Sequence, residues 1–371
     1  MKMEIKENNI IFLLGAGCSK EAEIPISNEM VTRVQEKLTN ESVWKPYTDL
    51  YFYLKSSINY SDGIFGIFDN VFNIEKLLIV MGQIEQRDKN IIYPFIGSWN
   101  IRLPEVAGNN FEKITELKQL INKELYEWVT TKDLVTKAQY YDGFKRLSNE
   151  VGKTLRVFSL NYDQCFEKVI GEDNVEQGFD PKTFEWQQSN FEGEAIKPFK
   201  LYKLHGSINW FTDKHTGKLM HSNHPITQDP KLIFGIDTKL SSSDPFFYYT
   251  SEFRRWILSS DCKLIVTIGY SYADQYINNL IAQALINNPS RQVLSVTYLD
   301  KEDSNIERLK SDLIKDITKN KLELKHSYNE HSAERFLLHI EGAKDFLNDT
   351  ISRDFLSQYI KDDIEAPFKE D

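Results

Sequence analysis

The chain has 371 residues, with 45 Lys and Arg against 55 Asp and Glu, for a formal net charge of −10. That balance disfavours extensive direct contact with a nucleic-acid backbone, and three scattered cysteines exclude a disulfide framework and point to a reducing, cytoplasmic compartment. No leader pattern is read and no apolar stretch nears the length of a membrane span, so none is expected.

Ile10 to Leu14 is a continuous apolar run, as expected of a strand buried on both faces of a parallel sheet, and it stops at Gly15-Ala16-Gly17. The two glycines allow a pyrophosphate to approach the backbone closely, the helix-like stretch that follows would offer free N–H groups, and Ser19 would add a hydroxyl. The same turn also serves as a plain strand-to-helix connection. From Val43 to Glu150 the pattern is helical, as in Phe72 to Leu78 and in Ile114, Leu117, Leu120, Ile121, Leu125 and Trp128. A second strand, Thr154 to Asp163, ends in Ser159, Asn161 and Asp163; a third segment, Leu201 to Trp210, leads into His205-Gly206-Ser207. A fourth, Lys263 to Asp274, runs through Gly269-Tyr270-Ser271 to Asp274 at the start of an amphipathic helix. Each of these puts small or polar residues just past a strand's carboxyl end, which is where open α/β sheets bind ligands.

His221 and His224 lack a third ligand at useful spacing and read as a turn, so no metal site is expected there. Val293 to Leu299 is strand-like and ends at Asp300, an acid placed to reach a ribose. Ile306, Leu309, Leu313 and Ile317 predict a helix, Leu322 to His326 a strand, and Phe336, Leu337, Ile340 and Phe346 a final helix. The expected organisation is one domain over 1–371: a Rossmann-like α/β fold with a parallel sheet flanked by helices. Within it, 43–150 forms a mostly helical insert, 151–330 the remainder of the core and 331–371 a C-terminal helical segment.

Taken in order, GAGCSKEAEIP, SLNYD, KLHGS and GYSYAD resemble the sirtuin family, and specifically its bacterial sirtuin-like branch. The resemblance implies that Gly15, Ala16, Gly17 and Ser19 hold a nucleotide, that Asn161 and Asp163 hold the nicotinamide ribose of NAD, and that His205 is the catalytic histidine. It places Gly269 and Ser271 under the adenosine half. Asp163 and Asp274 also fit the role of helix caps; for Asp274 the alternative is a catalytic or ribose-binding carboxylate. An amide suits a ribose hydroxyl or an attacking water, and an imidazole suits proton transfer near neutrality.

Two departures matter. Protein-deacylating sirtuins carry a four-cysteine zinc ribbon, whereas Cys18, Cys165 and Cys262 form no C-x-x-C pair, so no zinc is expected. Where deacylases follow the Ile-Pro step with Phe-Arg, this chain has Ile26-Ser27-Asn28. The implied activity is therefore hydrolysis of NAD, taken as substrate, with water as acceptor. Zinc-less relatives of this kind resemble antiviral effectors that deplete NAD. With no sensor region apparent, a homo-oligomer acting with a separately encoded partner is expected, such as a HerA-type ATPase or an Argonaute-like protein. The alternatives are an NAD-dependent deacylase using the same Asn161 and His205, a non-catalytic NAD- or ADP-ribose-binding module, and a nuclease, for which no carboxylate cluster is found.

Overall fold

In a computed structural model the described residues are 5–6, 8–64, 66, 72–87, 101–192, 197–222, 232, 245–324 and 330–361. The expected apolar runs form strands β1 (Ile10–Leu14), β2 (Leu155–Ser159), β4 (Phe199–Lys203), β7 (Leu264–Ile268) and β8 (Gln292–Val296), joined by a short edge strand β3 (Val175–Glu176) and by β9 (Phe336–His339). They make one seven-stranded sheet in the order β3-β4-β2-β1-β7-β8-β9, with every ladder parallel. Two further strands, β5 (Trp210–Thr212) and β6 (Leu219–His221), pair antiparallel as a separate hairpin.

Alternate residues of each strand feed two cores, as a sheet covered on both faces requires. Phe12, Val157, Leu201 and Val266 pack on one face with Phe144, Phe166, Phe346 and Leu347. Leu13, Phe158, Tyr202 and Ile265 pack on the other with Tyr249, Phe253, Ile281 and Leu285. The chain leaves β1, lays β2 and β4 on one side of it, and returns to lay β7, β8 and β9 on the other. The order therefore reverses at β1, which makes the carboxyl ends of β2, β1 and β7 the topological switch point.

Between Ser27 and Val151 every element among the described residues is helical, including α1 (Ser27–Asn40), α2 (Thr48–Ile64), α3 (Ile74–Glu85), α4 (Arg102–Ala107), α5 (Glu112–Val129) and α6 (Gly143–Val151). A third core joins Val34 and Leu38 of α1 to Leu50, Leu77, Met81, Ile114, Leu117 and Ile121. This layer thus begins at α1 rather than at Val43. Tyr140, Tyr141, Phe144 and Leu147, inside the expected insert, pack on the sheet instead.

Three element expectations are corrected. Ile10–Leu14 is not followed directly by an α-helix: Ala16–Cys18 and Lys20–Ala22 are short 3-10 turns, and α1 starts only at Ser27. Phe336 and Leu337, expected to be helical, lie in β9 and pair with Val293 and Leu294 of β8. Leu322 to Leu324 follow a helical turn without forming a strand, and Lys325 and His326 lie outside the described residues.

Candidate active site at the carboxyl ends of the central strands

The four motifs end on four consecutive strands, β4, β2, β1 and β7. Ser159 pairs with Lys203, and Leu14 pairs with both Ser159 and Ile268, so the strand ends are level. Asn161 and His205 each stand two residues beyond a paired end.

Asn161 is 6% exposed, and its amide has two distinct ends. Nδ2 donates to the Gly15 carbonyl at 3.0 Å and to Ser19 Oγ at 3.1 Å, which ties the β2 loop to the β1 loop. Oδ1 is buried and accepts no hydrogen bond. Ser19 is wholly buried; its hydroxyl donates to Asp163 Oδ2 at 2.8 Å and lies 2.9 Å from the Tyr141 hydroxyl. The other Asp163 oxygen accepts from the Cys165 N–H at 2.9 Å, at the start of the helix Cys165–Ile170. Ser19 and Asp163 are therefore engaged with protein groups, in the local bracing role that the capping reading of Asp163 describes.

Beneath this loop Lys203, 1% exposed, pairs with Glu167 at 2.9 Å, donates to Ser207 Oγ at 2.8 Å and donates to the Asp163 carbonyl. Burial pushes the Glu167 carboxyl up, against the opposing pull of Lys203. Cys18 and Cys165 are close by, but burial raises both thiols and leaves them protonated, poor nucleophiles.

His205 is 4% exposed. Its Nε2 lies 3.3 Å from Asp274 Oδ2, while Nδ1 is buried with no hydrogen-bond partner. β4 and β7 are separated by β2 and β1, roughly 14 Å at ordinary strand spacing. The His205 and Asp274 loops therefore arch toward one another over the two central strand ends. The Tyr162 ring stacks on His205 with centroids 6.2 Å apart, and its hydroxyl donates to Glu75 of α3 at 2.7 Å. Burial, reinforced by Glu75, pushes the Tyr162 phenol well up, which keeps it a donor.

The glycine turn works differently from the expectation. The N–H groups of Gly15, Gly17, Cys18 and Ser19 go to the carbonyls of Ile268, Gly269, Gly15 and Ala16, so they are not free for an anion. A Cβ on Gly15 would sit 2.6 Å from Gly269 O, and one on Gly17 would sit 2.9 Å from Gly269 Cα. Gly269 has φ +64°, and a Cβ there would overlap Cys18 N. These three glycines let the β1 and β7 loops pack backbone against backbone at the switch point. Ala16 and Ser271 are exposed at this rim.

Asp300 is exposed and accepts from the Glu302 N–H within its own turn. His221 lies 2.7 Å from Asn209 Nδ2, and His224 lies outside the described residues. Among the described residues no group of three or more His, Cys, Asp or Glu is placed to hold a metal ion.

Residues 155–317 match the family model for a SIR2-like domain. The match supports a sirtuin-like family. The SIR2-like stretch contains SLNYD, KLHGS and GYSYAD, and so carries Asn161, His205 and Asp274, while the glycine turn of β1 and the helical layer precede it. SIR2-like domains use NAD as a substrate. No curated protein matches the chain.

Sequence alone does not single out four supporting residues. Tyr162 stood in plain view between Asn161 and Asp163, and Lys203, a lone cation between Tyr202 and Leu204 in a strand, carried a visible signal of burial with a partner. Tyr141 and Glu75 lie in helical sequence that gives no hint of which loop they reach.

Proposed function

We propose that this protein is an NAD glycohydrolase that releases nicotinamide and ADP-ribose. The observation that carries the reading is a pair of buried, unsatisfied polar atoms, Asn161 Oδ1 and His205 Nδ1, at the ends of adjacent parallel strands. Buried polar atoms are nearly always hydrogen-bonded, so two acceptors left open at a switch point fit a ligand that brings its own O–H donors. A ribose and a water molecule supply those donors. In the reaction the bond from the nicotinamide nitrogen to the ribose C1′ breaks, its electron pair leaves with nicotinamide, and a water oxygen joins C1′. Asn161 Oδ1 orients a ribose hydroxyl or that water, and His205 Nδ1 takes the proton.

Water rather than an acyl-lysine peptide is the acceptor in this reading, supported by the lack of any C-x-x-C pair from which a zinc ribbon could be built. The cellular role we infer is that of a cytoplasmic antiviral effector that depletes NAD as a homo-oligomer. Its trigger is a separately encoded partner such as a HerA-type ATPase or an Argonaute-like protein, and it makes little direct contact with nucleic acid. Release of nicotinamide from NAD, measured with and without the genomic-neighbour protein, tests the activity. Asn161→Ala and His205→Ala are each expected to abolish release. Measurable NAD binding with no release by the wild type under either condition would replace the hydrolase with a nucleotide-binding module.

A further inference from the structure

Asp274 was expected to touch a ribose or cap a helix, but its two oxygens face different ways. Oδ1 accepts the Tyr276 and Ile277 N–H groups at 3.0 and 3.2 Å, which pins the carboxylate to the first turn of the helix Gln275–Asn287. Oδ2 faces His205 Nε2 at 3.3 Å. A carboxylate only accepts, so a neutral imidazole here carries its proton on Nε2 and its lone pair on Nδ1. Nδ1 is the buried nitrogen without a partner. The Tyr162 ring stacked on His205, itself held through Glu75, limits rotation of the imidazole.

We propose that Asp274 is a positioning residue that fixes the tautomer of His205, so that Nδ1 is the proton-accepting atom. The proposal rests on the hydrolase reading for its consequence in turnover, but the hydrogen-bond relation it asserts is independent of that reading. Asp274→Asn separates the two duties of this side chain. The amide oxygen takes over the helix cap, which directs the amide NH2 toward His205 Nε2. That donor forces the ring proton onto Nδ1, where it blocks the base.

The test is 15N NMR of the full chain labelled at histidine, with the His205 resonances assigned by their loss in His205→Asn, alongside nicotinamide release in the presence of the partner. The wild type is expected to show the Nε2–H tautomer and Asp274→Asn the Nδ1–H tautomer. Asp274→Asn should melt close to the wild type because the cap survives, while kcat falls about 100-fold or more and KM for NAD changes little. Asp274→Ala loses the cap and melts lower. A purely structural role would make activity follow melting temperature across this series, and an active Asp274→Asn of wild-type stability would overturn the proposal. So would an Nδ1–H tautomer in the wild type, or an unchanged tautomer in Asp274→Asn. If the switch occurs but the wild type releases no nicotinamide, the hydrolase reading falls and the hold of Asp274 on His205 stands.

Discussion

Beneath Asn161 and His205 lies an ion pair that does not touch the open acceptor atoms. Lys203 and Glu167 are both almost fully buried, and Lys203 also binds the Asp163 carbonyl and Ser207 Oγ, so one ammonium braces the loops after β2 and β4. Removing one partner of a buried pair strands the other charge, at a cost of about 3–5 kcal/mol. Lys203→Met should therefore lose stability of that order at pH 8, read from chemical unfolding. The pH dependence has a definite sign. Burial already raises the Glu167 carboxyl above its ordinary 4.5, and loss of Lys203 removes a contribution that lowers it. A group raised on folding contributes stability that is complete below its unfolded value and lost as pH rises through its folded value. The gap between wild type and Lys203→Met should thus narrow from pH 8 toward pH 5; a gap independent of pH would mean that Glu167 is not left charged and unpaired in the variant. Sequence exposes the lysine but not its partner, because Glu167 sits 36 residues earlier in a short helix whose facing strand only the fold supplies.

At the scale of elements, the contact between the β1 and β7 loops depends on glycine at three places. Gly269→Ala places a side chain at φ +64° and against Cys18 N, combining left-handed strain with overpacking, a cost of roughly 2–5 kcal/mol. The expected result is a lower midpoint in urea with an unchanged slope; a midpoint within error of the wild type would show that the loops separate freely. The five central strands were legible because short apolar runs bounded by small or polar residues have few other uses. The function of the glycines was not, since a turn that approaches a pyrophosphate and one that approaches a neighbouring backbone have the same sequence. β9 has the sequence pattern of a helix for a related reason. Phe336, Leu337 and Ile340 fit one face of a helix, and Phe346 prolongs the pattern, so only the ladder to Val293–Val296 decides for a strand. Arg335 reinforces that outcome by donating to the carbonyls of Leu285, Asn288 and Arg291, which ties the start of β9 to the end of the helix Gln275–Asn287 and to the residue just before β8.

Across the whole molecule, the helical layer has its own core, separate from the two sheet cores, yet it reaches the candidate site. α5 carries Trp128 in the helical core and Val129 in a sheet core, and α3 contributes Glu75 as acceptor for Tyr162. Cooperative units with their own apolar cores open at their own free energies, which native-state hydrogen exchange resolves. Tyr162→Phe removes the hydroxyl bond while preserving a ring that can stack on His205. A hydrogen bond to a charged group contributes about 1.5–3 kcal/mol, and partial exposure of Glu75 places this one at the lower end. The amides of Leu77, Leu78 and Met81 in α3 should therefore exchange several-fold faster in Tyr162→Phe, while those of Phe12, Val157 and Val266 in the sheet keep their protection. Equal acceleration in helix and sheet would instead mean that the molecule opens as one unit, and that the bond between Glu75 and Tyr162 supports the fold as a whole rather than joining a separable layer to the site.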